Sequence, residues 1–281
     1  MHVTRGEKRR CAADSPLWNQ GLNHVMVDFG DTGRQGLLLE ARPEVADSYA
    51  MDASSNMHAC IYRSGFDVSL PLGPERHFPE LAEVAASDRR FFLTNKGTVY
   101  LSGHGSEERL SVLPLHDEDQ GVVMSLRCFD KHGEDLLPEN ADFCRMLSDR
   151  YDDHDYESLM NTTFALVPAG RSPGTYRLAE AMGGGAIPVV VGRDFVLPFR
   201  EQFDWPSFSF TFAPDQAGPE MMRALRAMPP DVLNGMQRKS LEAYRRMFGA
   251  DHSLLGPYAF KPIARRLVSI LVRRLEHRGG R

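Results

Sequence analysis

Short apolar runs alternate with helical patterns along most of the chain, and this alternation constrains the fold more than any other feature. Because consecutive parallel strands need a crossover between them, usually a helix, the pattern predicts an α/β fold with parallel sheets. The predicted strands are His24 to Phe29, His58 to Tyr62, Phe91 to Thr94, Val122 to Leu126, Phe164 to Val167, Ala186 to Val191 and Ser207 to Phe212. From Pro230 onward only helical patterns follow, and one apolar face of the last helix indicates core packing. That face consists of Ile263, Leu267, Ile270, Leu271 and Leu275.

The segment from Leu70 to Pro79, Leu-Pro-Leu-Gly-Pro-Glu-Arg-His-Phe-Pro, is rich in proline and glycine, which is typical of a linker. We therefore predict two lobes, residues 1–85 and residues 86–281. The first lobe holds few predicted strands and is small for a domain, so we expect it to be trimmed or to depend on the second. A chain of 281 residues with 42% hydrophobic content is long enough to form both.

Charge and cysteine content exclude several classes of protein. Lys and Arg number 33 against 38 Asp and Glu, and the resulting net charge of −5 gives no overall electrostatic reason to bind nucleic acid. No run approaches the roughly 20 apolar residues that span a bilayer, so we predict no membrane span in this chain. The four cysteines are too few for a disulfide scaffold, and none forms the C-x-x-C pair of a structural zinc site.

The most informative stretch runs from Phe164 to Val191. A strand, a glycine-bearing loop and a helix from Thr175 to Met182 follow one another, and Thr175 is placed to cap the helix. The start of such a helix favours a phosphate because its backbone N–H groups are free and it carries about half a positive charge. Neither the P-loop nor the G-x-G-x-x-G dinucleotide fingerprint is present, which argues against a nicotinamide-dependent dehydrogenase. The triple glycine Gly183 to Gly185 follows the helix and predicts its C-terminal cap.

Two arginines and one glutamate make this helix a candidate site for a nucleoside diphosphate. Arg171 in the loop and Arg177 in the helix are placed to meet the diphosphate, and Glu180 is placed to accept hydrogen bonds from ribose hydroxyls. The alternative is that Arg177 and Glu180, three residues apart, form an exposed surface pair that contributes only about 0.3 kcal/mol.

Six segments stand out along the chain. The longest runs from Tyr156 to Met182 and is followed by Ile-Pro-Val-Val at 187–190 and Leu-Pro-Phe at 197–199. The others lie upstream, at residues 17–24, 62–71 and 91–97. In this order they resemble the exostosin family of glycosyltransferases. Ala169 and Ser172 stand where animal members often have arginine, so the donor and acceptor are expected to differ. The segment that normally precedes Leu17 is also missing, which fits an anchorless or an incomplete member.

The resemblance implies a GT-B architecture, in which two Rossmann-like lobes face a cleft, and an inverting transfer that needs no metal. The donor is then a UDP-sugar, from which a hexosyl, glucuronosyl or pentosyl group passes to a glycan or glycoprotein acceptor, with no other cofactor. The alternative is a catalytically inactive subunit that stabilises an active partner, and a homo- or hetero-dimer is left open. The acidic run from Asp152 to Asp155 is interpreted as a solvated turn rather than a metal site.

Inverting transfer needs a base for the acceptor hydroxyl and positive groups for the leaving diphosphate. Lys96, which we expect in the turn after the strand Phe91 to Thr94, is the candidate for the positive group; the alternative is an ordinary turn lysine. His24 and Asp67 are the candidate bases, and each is equally well explained as a structural residue.

Two further features concern the cellular compartment. Asn161-Thr162-Thr163 is a glycosylation sequon, and Cys128 and Cys144 are similar to paired cysteines of the family, which implies a disulfide between them. Together with the resemblance, they favour the Golgi lumen.

Overall fold

The chain folds into two lobes, each built on a parallel sheet, in the computed structural model of the protein. The predicted α/β class with two parallel sheets is therefore confirmed. The structure describes residues 24–28, 51–55, 57–60, 62–100, 106–129, 138–170, 173–193, 195–249 and 260–278.

The sheet of the first lobe has the order β1-β2-β3, with β1 at Val25–Asp28, β2 at Met51–Ser54 and β3 at Val68–Ser69. The strand predicted at His58 to Tyr62 is wrong, because the Tyr62 N–H turns back to the His58 carbonyl and closes a turn. The sequence pattern missed β2 because Asp52 and Ser54 make it look polar, although both side chains are buried.

The sheet of the second lobe has the order β5-β4-β6-β7-β8, and all its strands are parallel. Its strands are β4 (Phe91–Tyr100), β5 (Val122–Phe129), β6 (Thr162–Pro168), β7 (Ile187–Val191) and β8 (Phe210–Phe212). Each contains part of a predicted run. Numbered within the lobe, the order is 2-1-3-4-5, that of flavodoxin-like doubly wound folds, in which the strand order reverses between the first and third strands. Here that switch point lies between β4 and β6.

The helices of the described residues are α1 (Pro79–Ala82), α2 (Ser106–Val112), α3 (Pro138–Asp149), α4 (Tyr176–Gly183), α5 (Pro219–Arg226), α6 (Pro230–Phe248) and α7 (Phe260–Arg278). In α7, Ile263, Leu267 and Ile270 are buried and Leu271 packs against the same core, which confirms the predicted core face for these four residues. The side chain of Leu275 lies outside the described part of the chain. No helix in the described part of the chain is long and apolar enough to cross a membrane.

The two lobes share one apolar core. Ala53 and Leu70 of the first lobe belong to the same buried cluster as Leu178 of α4 and Ile263 of α7. The first sheet ends at Ser69 and the second begins at Phe91, and the predicted division at residues 85 and 86 falls in this interval. The lobes also meet through hydrogen bonds, since the Ser69 side chain donates to the Val196 carbonyl at 2.6 Å. We therefore expect the first lobe to depend on the second for stability.

A disulfide joins Cys128, in β5, to Cys144, in α3, with their Cα atoms 5.2 Å apart. The pairing implied by the family resemblance is therefore confirmed.

Asn161 of the sequon lies in the turn before β6, where its side-chain oxygen accepts from the Arg90 N–H at 3.3 Å. The hydroxyl of Thr163 is buried and donates to the Ala86 carbonyl at 2.8 Å.

Candidate functional site

The switch point of the second sheet places the candidate site at the carboxyl ends of β4 and β6. The register of β4 with β6 ends at Thr94, whereas its register with β5 continues to Tyr100. The two central strands therefore separate toward their carboxyl ends. Ligands of open α/β sheets bind in the crevice that forms there.

Helix α4 begins beside this crevice, immediately after the loop that follows β6. Thr175 is its N-cap and accepts a hydrogen bond from the Arg177 N–H at 3.4 Å, so the predicted cap is confirmed. Gly184 is the C-cap and Gly185 has a φ of +75°, a conformation that glycine adopts without strain. The prediction that the triple glycine ends the helix is confirmed as well.

The guanidinium of Arg177 lies inside the protein, between the separating strands. Its Nε donates to the Leu166 carbonyl of β6 at 2.8 Å, and its Nη2 donates to the Thr94 carbonyl of β4 at 2.9 Å. The residue is only 6% exposed, which excludes the surface pair considered above. In this conformation Arg177 ties α4 to the two central strands instead of facing a phosphate. The other predicted phosphate ligand, Arg171, lies outside the described residues.

The carboxylate of Glu180 is also buried, with 4% of the residue exposed. Its Oε1 accepts from the backbone N–H groups of Glu75 and Arg76 at 3.1 Å each, and its Oε2 accepts from the Tyr156 hydroxyl. Burial raises the pKa of Tyr156, and burial together with the charge of Glu180 raises that of Tyr244. Glu180 therefore fastens α4 to the predicted linker, and its role as a ribose acceptor stays a prediction.

Lys96 lies within a strand, not in the predicted turn, because β4 continues through it to Tyr100. Its ammonium donates to the Tyr151 and His154 carbonyls, the latter at 2.7 Å, and lies over the Tyr151 ring. Burial lowers the pKa of Lys96, while neighbouring Asp152 and Asp155 oppose that shift. The lysine thus holds the acidic turn against the sheet, and its role toward a leaving diphosphate stays a prediction.

The acidic turn also provides an acceptor for the short helical turn Ser158–Met160 that follows it. Asp155 accepts from the Ser158 N–H at 2.7 Å, and this hydrogen bond lowers the pKa of Asp155. Within the ranges that the structure describes, no three His, Cys, Asp or Glu side chains are grouped so as to hold a metal.

The two candidate bases lie at the amino-terminal edge of the first sheet. His24 precedes β1, and its carbonyl accepts from the Met51 N–H at 3.0 Å. Asp67 precedes β3 and is fully buried, with hydrogen bonds from the Arg63 side chain, the Arg63 N–H and the Asp52 N–H. The crevice lies at the opposite edge, about 10 to 15 Å along the strands at their usual rise. Their placement therefore favours the structural alternative for both residues.

Sequence reasoning missed Arg109, a half-buried arginine of α2 at the switch point. Its Nε donates to the Ala169 carbonyl in the loop after β6 at 3.3 Å, and its Nη1 donates to the Thr98 carbonyl of β4. It therefore brings a positive charge close to the carboxyl ends of both central strands. Gly97 leaves room for this side chain, since a Cβ there would lie 3.2 Å from Arg109 Nη1. No sequence pattern pairs the two residues.

A small, mostly apolar cavity of about 10 Å³ lies within the core that the two lobes share. Its lining includes Ser55 and Leu70 of the first lobe and Thr175, Leu178 and Met247 of the second. The start of α4 therefore lies next to the carboxyl edge of the first sheet.

The exostosin GT47 domain model matches residues 4–228. The chain belongs to the exostosin family. An Exostosin-1 homolog of Caenorhabditis elegans is 32% identical over 86% of this chain and 65% of that protein. Exostosin-1 of Drosophila melanogaster is 30% identical over 84% of this chain. The exostosin-family chain described here spans 31% of the Drosophila protein and just under two thirds of the nematode one.

Two solved glycosyltransferases show a weaker likeness. One is AviGT4, a glycosyltransferase involved in avilamycin A biosynthesis, with a TM-score of 0.43, 15% identity and coverage of 97% of this chain and 78% of that one. The other is the pneumococcal O-GlcNAc transferase GtfA in complex with UDP and GlcNAc, with a TM-score of 0.40, 13% identity and coverage of 93% and 48%. Both scores lie below 0.5, and these likenesses decide nothing about the site.

Proposed function

We propose that the chain is an inverting glycosyltransferase that moves a sugar from a UDP-sugar to a glycan or glycoprotein acceptor. The observation that carries the proposal is the capped start of α4, which lies at the switch point of a doubly wound sheet and next to the first lobe. Membership of the exostosin family supports the reaction class.

The diphosphate is proposed to lie at the start of α4. There the backbone N–H groups and the positive end of the helix dipole favour an anion, and Gly170 and Gly174 allow close approach of the backbone. Arg109, and Arg171 in the adjoining loop, supply the positive charge that stabilises the diphosphate as it leaves. The acceptor hydroxyl enters from the first lobe, and we assign no residue to its base.

A catalytically inactive subunit that stabilises an active partner is the second candidate. One specific observation favours it: Arg177, Glu180 and Lys96 all use their polar groups inside the fold, so their presence is explained without a ligand. We further propose a location in the Golgi lumen, supported by the disulfide, because such bonds persist in oxidising compartments. Dimerisation, with itself or with a partner, is measurable by light scattering on purified protein.

Calorimetric titration with UDP separates the two candidates. An active enzyme binds UDP saturably and releases it from one of a panel of UDP-sugars in the presence of glycan acceptors. Absence of any saturable UDP binding by folded protein would overturn the enzyme assignment and leave the inactive subunit.

A further inference from the structure

A cavity of about 440 Å³ lies on the outer side of β5, the edge strand of the second sheet. Its walls come from β5, from the end of α3 and from residues 113–118, which precede β5. The Met124 N–H of β5 faces this side, since it donates to the lining residue His116 at 3.1 Å. Small-molecule sites occupy about 300 to 1,000 Å³, so the space is large enough for a ligand. The crevice at the switch point lies on the other side of β4, and the two places are therefore separate.

Much of the cavity wall is aliphatic. Two methionines contribute to it, and Met146 is 54% exposed, which places it near the opening. None of the described lining residues is Phe, Tyr or Trp, so an aromatic ring would find no ring to stack on. Methionine and leucine side chains adapt well to a flexible alkyl chain. The aliphatic residues of the wall are Leu113, Val123, Met124, Leu126, Met146 and Leu147.

Polar side chains lie close together in the same cavity. The Glu118 carboxylate lies between two histidines, 3.4 Å from His116 Nε2 and 3.7 Å from His154 Nε2. Because His116 Nδ1 accepts the Met124 N–H, the proton of the neutral His116 ring lies on Nε2 and faces Glu118. Glu118 is half exposed, so its carboxylate has acceptor capacity left for a ligand. Arg150, which follows α3, also lines the cavity and supplies donors.

The mixed charges favour a ligand head group that carries no net charge. Arg150 would attract an anion but Glu118 would repel it, and for a cation the two effects are reversed. Hydroxyl groups donate to the carboxylate and accept from the arginine or a histidine without either penalty. We propose that the cavity binds a neutral amphiphile, whose aliphatic chain packs on the apolar wall and whose hydroxyl-bearing head hydrogen-bonds Glu118. This site is additional to the proposed transfer reaction and does not rest on it.

A series of 1-O-alkylglycerols with methyl, butyl and hexyl chains tests the proposal by calorimetry on the whole chain. We expect saturable binding whose affinity rises about fourfold for each methylene that is buried. Hexanoate and hexylammonium have chains of the same length but charged heads, and should bind at least about tenfold more weakly than 1-O-hexylglycerol. Absence of binding, an affinity independent of chain length, or equal affinity for a charged analogue would overturn the inference.

Two pairs of variants locate the ligand. Met146→Trp fills the opening, and Val268→Trp is its control, because Val268 is 57% exposed and does not line the cavity. We expect Met146→Trp to bind 1-O-hexylglycerol at least about tenfold more weakly, and Val268→Trp to bind it as the wild type does. Glu118→Gln exchanges a charged acceptor for a neutral one and should weaken binding about fivefold, whereas Glu242→Gln should not.

Melting temperatures confirm that each variant is folded, and UDP affinity is measured on the same proteins. Undiminished binding of 1-O-hexylglycerol by folded Met146→Trp would place the ligand elsewhere and overturn the inference, and so would unchanged affinity in Glu118→Gln. UDP affinity should be the same in all four variants as in the wild type, because the cavity is separate from the crevice. Failure of the wild type to bind UDP would overturn the proposed function and leave this inference standing.

Discussion

Replacement of Glu180 by glutamine tests whether its buried carboxylate is a structural anchor. Three donors converge on this side chain: two N–H groups of the linker and the Tyr156 hydroxyl. A hydrogen bond to a charged group contributes about 1.5 to 3 kcal/mol, and one between neutral groups contributes about 0.5 to 1.5 kcal/mol. Each of the three bonds therefore becomes weaker by about 1 kcal/mol, which makes a total loss of about 3 kcal/mol. Removing a buried charge returns part of this loss. We therefore expect Glu180→Gln to lower the free energy of unfolding by about 2 kcal/mol.

Urea unfolding measures this loss, and Glu242→Gln is the matched control. Glu242 also lies in a helix beside an arginine, but its side chain is 70% exposed and lies 4.0 Å from Arg246. Because exposed pairs of this kind contribute about 0.3 to 0.5 kcal/mol, the control should unfold almost as the wild type does. If Glu180→Gln cost no more than Glu242→Gln, the three hydrogen bonds would not anchor α4.

The same variant decides whether Glu180 also binds ribose. If its carboxylate accepts from the ribose of UDP, Glu180→Gln should weaken UDP binding roughly ten- to a hundredfold. If the linker and Tyr156 are its only partners, the variant loses stability while the dissociation constant for UDP stays unchanged. Calorimetry on folded protein separates these outcomes, and an unchanged constant would remove Glu180 from the nucleotide site.

Three further substitutions test the framework around the site by urea unfolding. Arg177→Met removes the hydrogen bonds that the guanidinium donates to the Leu166 and Thr94 carbonyls and should cost about 2 to 5 kcal/mol; a loss under about 0.5 kcal/mol would refute the bridging role. Replacing both Cys128 and Cys144 by alanine removes a disulfide between residues 16 apart and should lower the free energy of unfolding by about 3 kcal/mol. If reductant left the free energy of unfolding of the wild type unchanged, this prediction would be wrong. Gly185→Ala places a Cβ 2.8 Å from a guanidinium nitrogen at a φ of +75° and should cost about 2 kcal/mol. Gly218→Ala, at the N-cap of α5 with no atom within 4 Å, should cost less than about 1 kcal/mol.

The fold was predictable where burial alone sets the pattern. The runs at Phe164 and Ala186 are apolar throughout, since central parallel strands are covered on both faces, and both correspond to strands of the structure. The apolar pattern missed β2, because the strand contains the buried polar residue Asp52. The backbone N–H of Asp52 donates to the Asp67 carboxylate, a partner that lies outside the strand. The pattern also ended β4 too early, because Asn95 and Lys96 resemble a turn although their side chains bond to neighbouring segments.

The candidate site was predictable in its backbone and less so in its side chains. The cap at Thr175 follows from local sequence alone, because an N-cap is satisfied within one helical turn. Some partners of the buried side chains are distant in sequence: Thr94 of β4 is 83 residues from Arg177, and Glu75 of the linker is 105 residues from Glu180. Spacing along one helix shows that two side chains share a face, but not whether that face meets solvent or protein.

Helix α4 is therefore the element through which a ligand can act on both lobes. Arg177 fixes one end of the helix to β4 and β6, whereas Glu180, one turn later, fixes it to the linker. The backbone at the start of the helix is then held in place before any ligand arrives, which favours binding because little further ordering is required. Under the proposed function, a phosphate at Thr175 contacts the same helix that holds the linker, and we expect nucleotide binding to stabilise the contact of α4 with the first lobe. Arg177 and Glu180 then contribute to binding by positioning the helix, without touching the ligand.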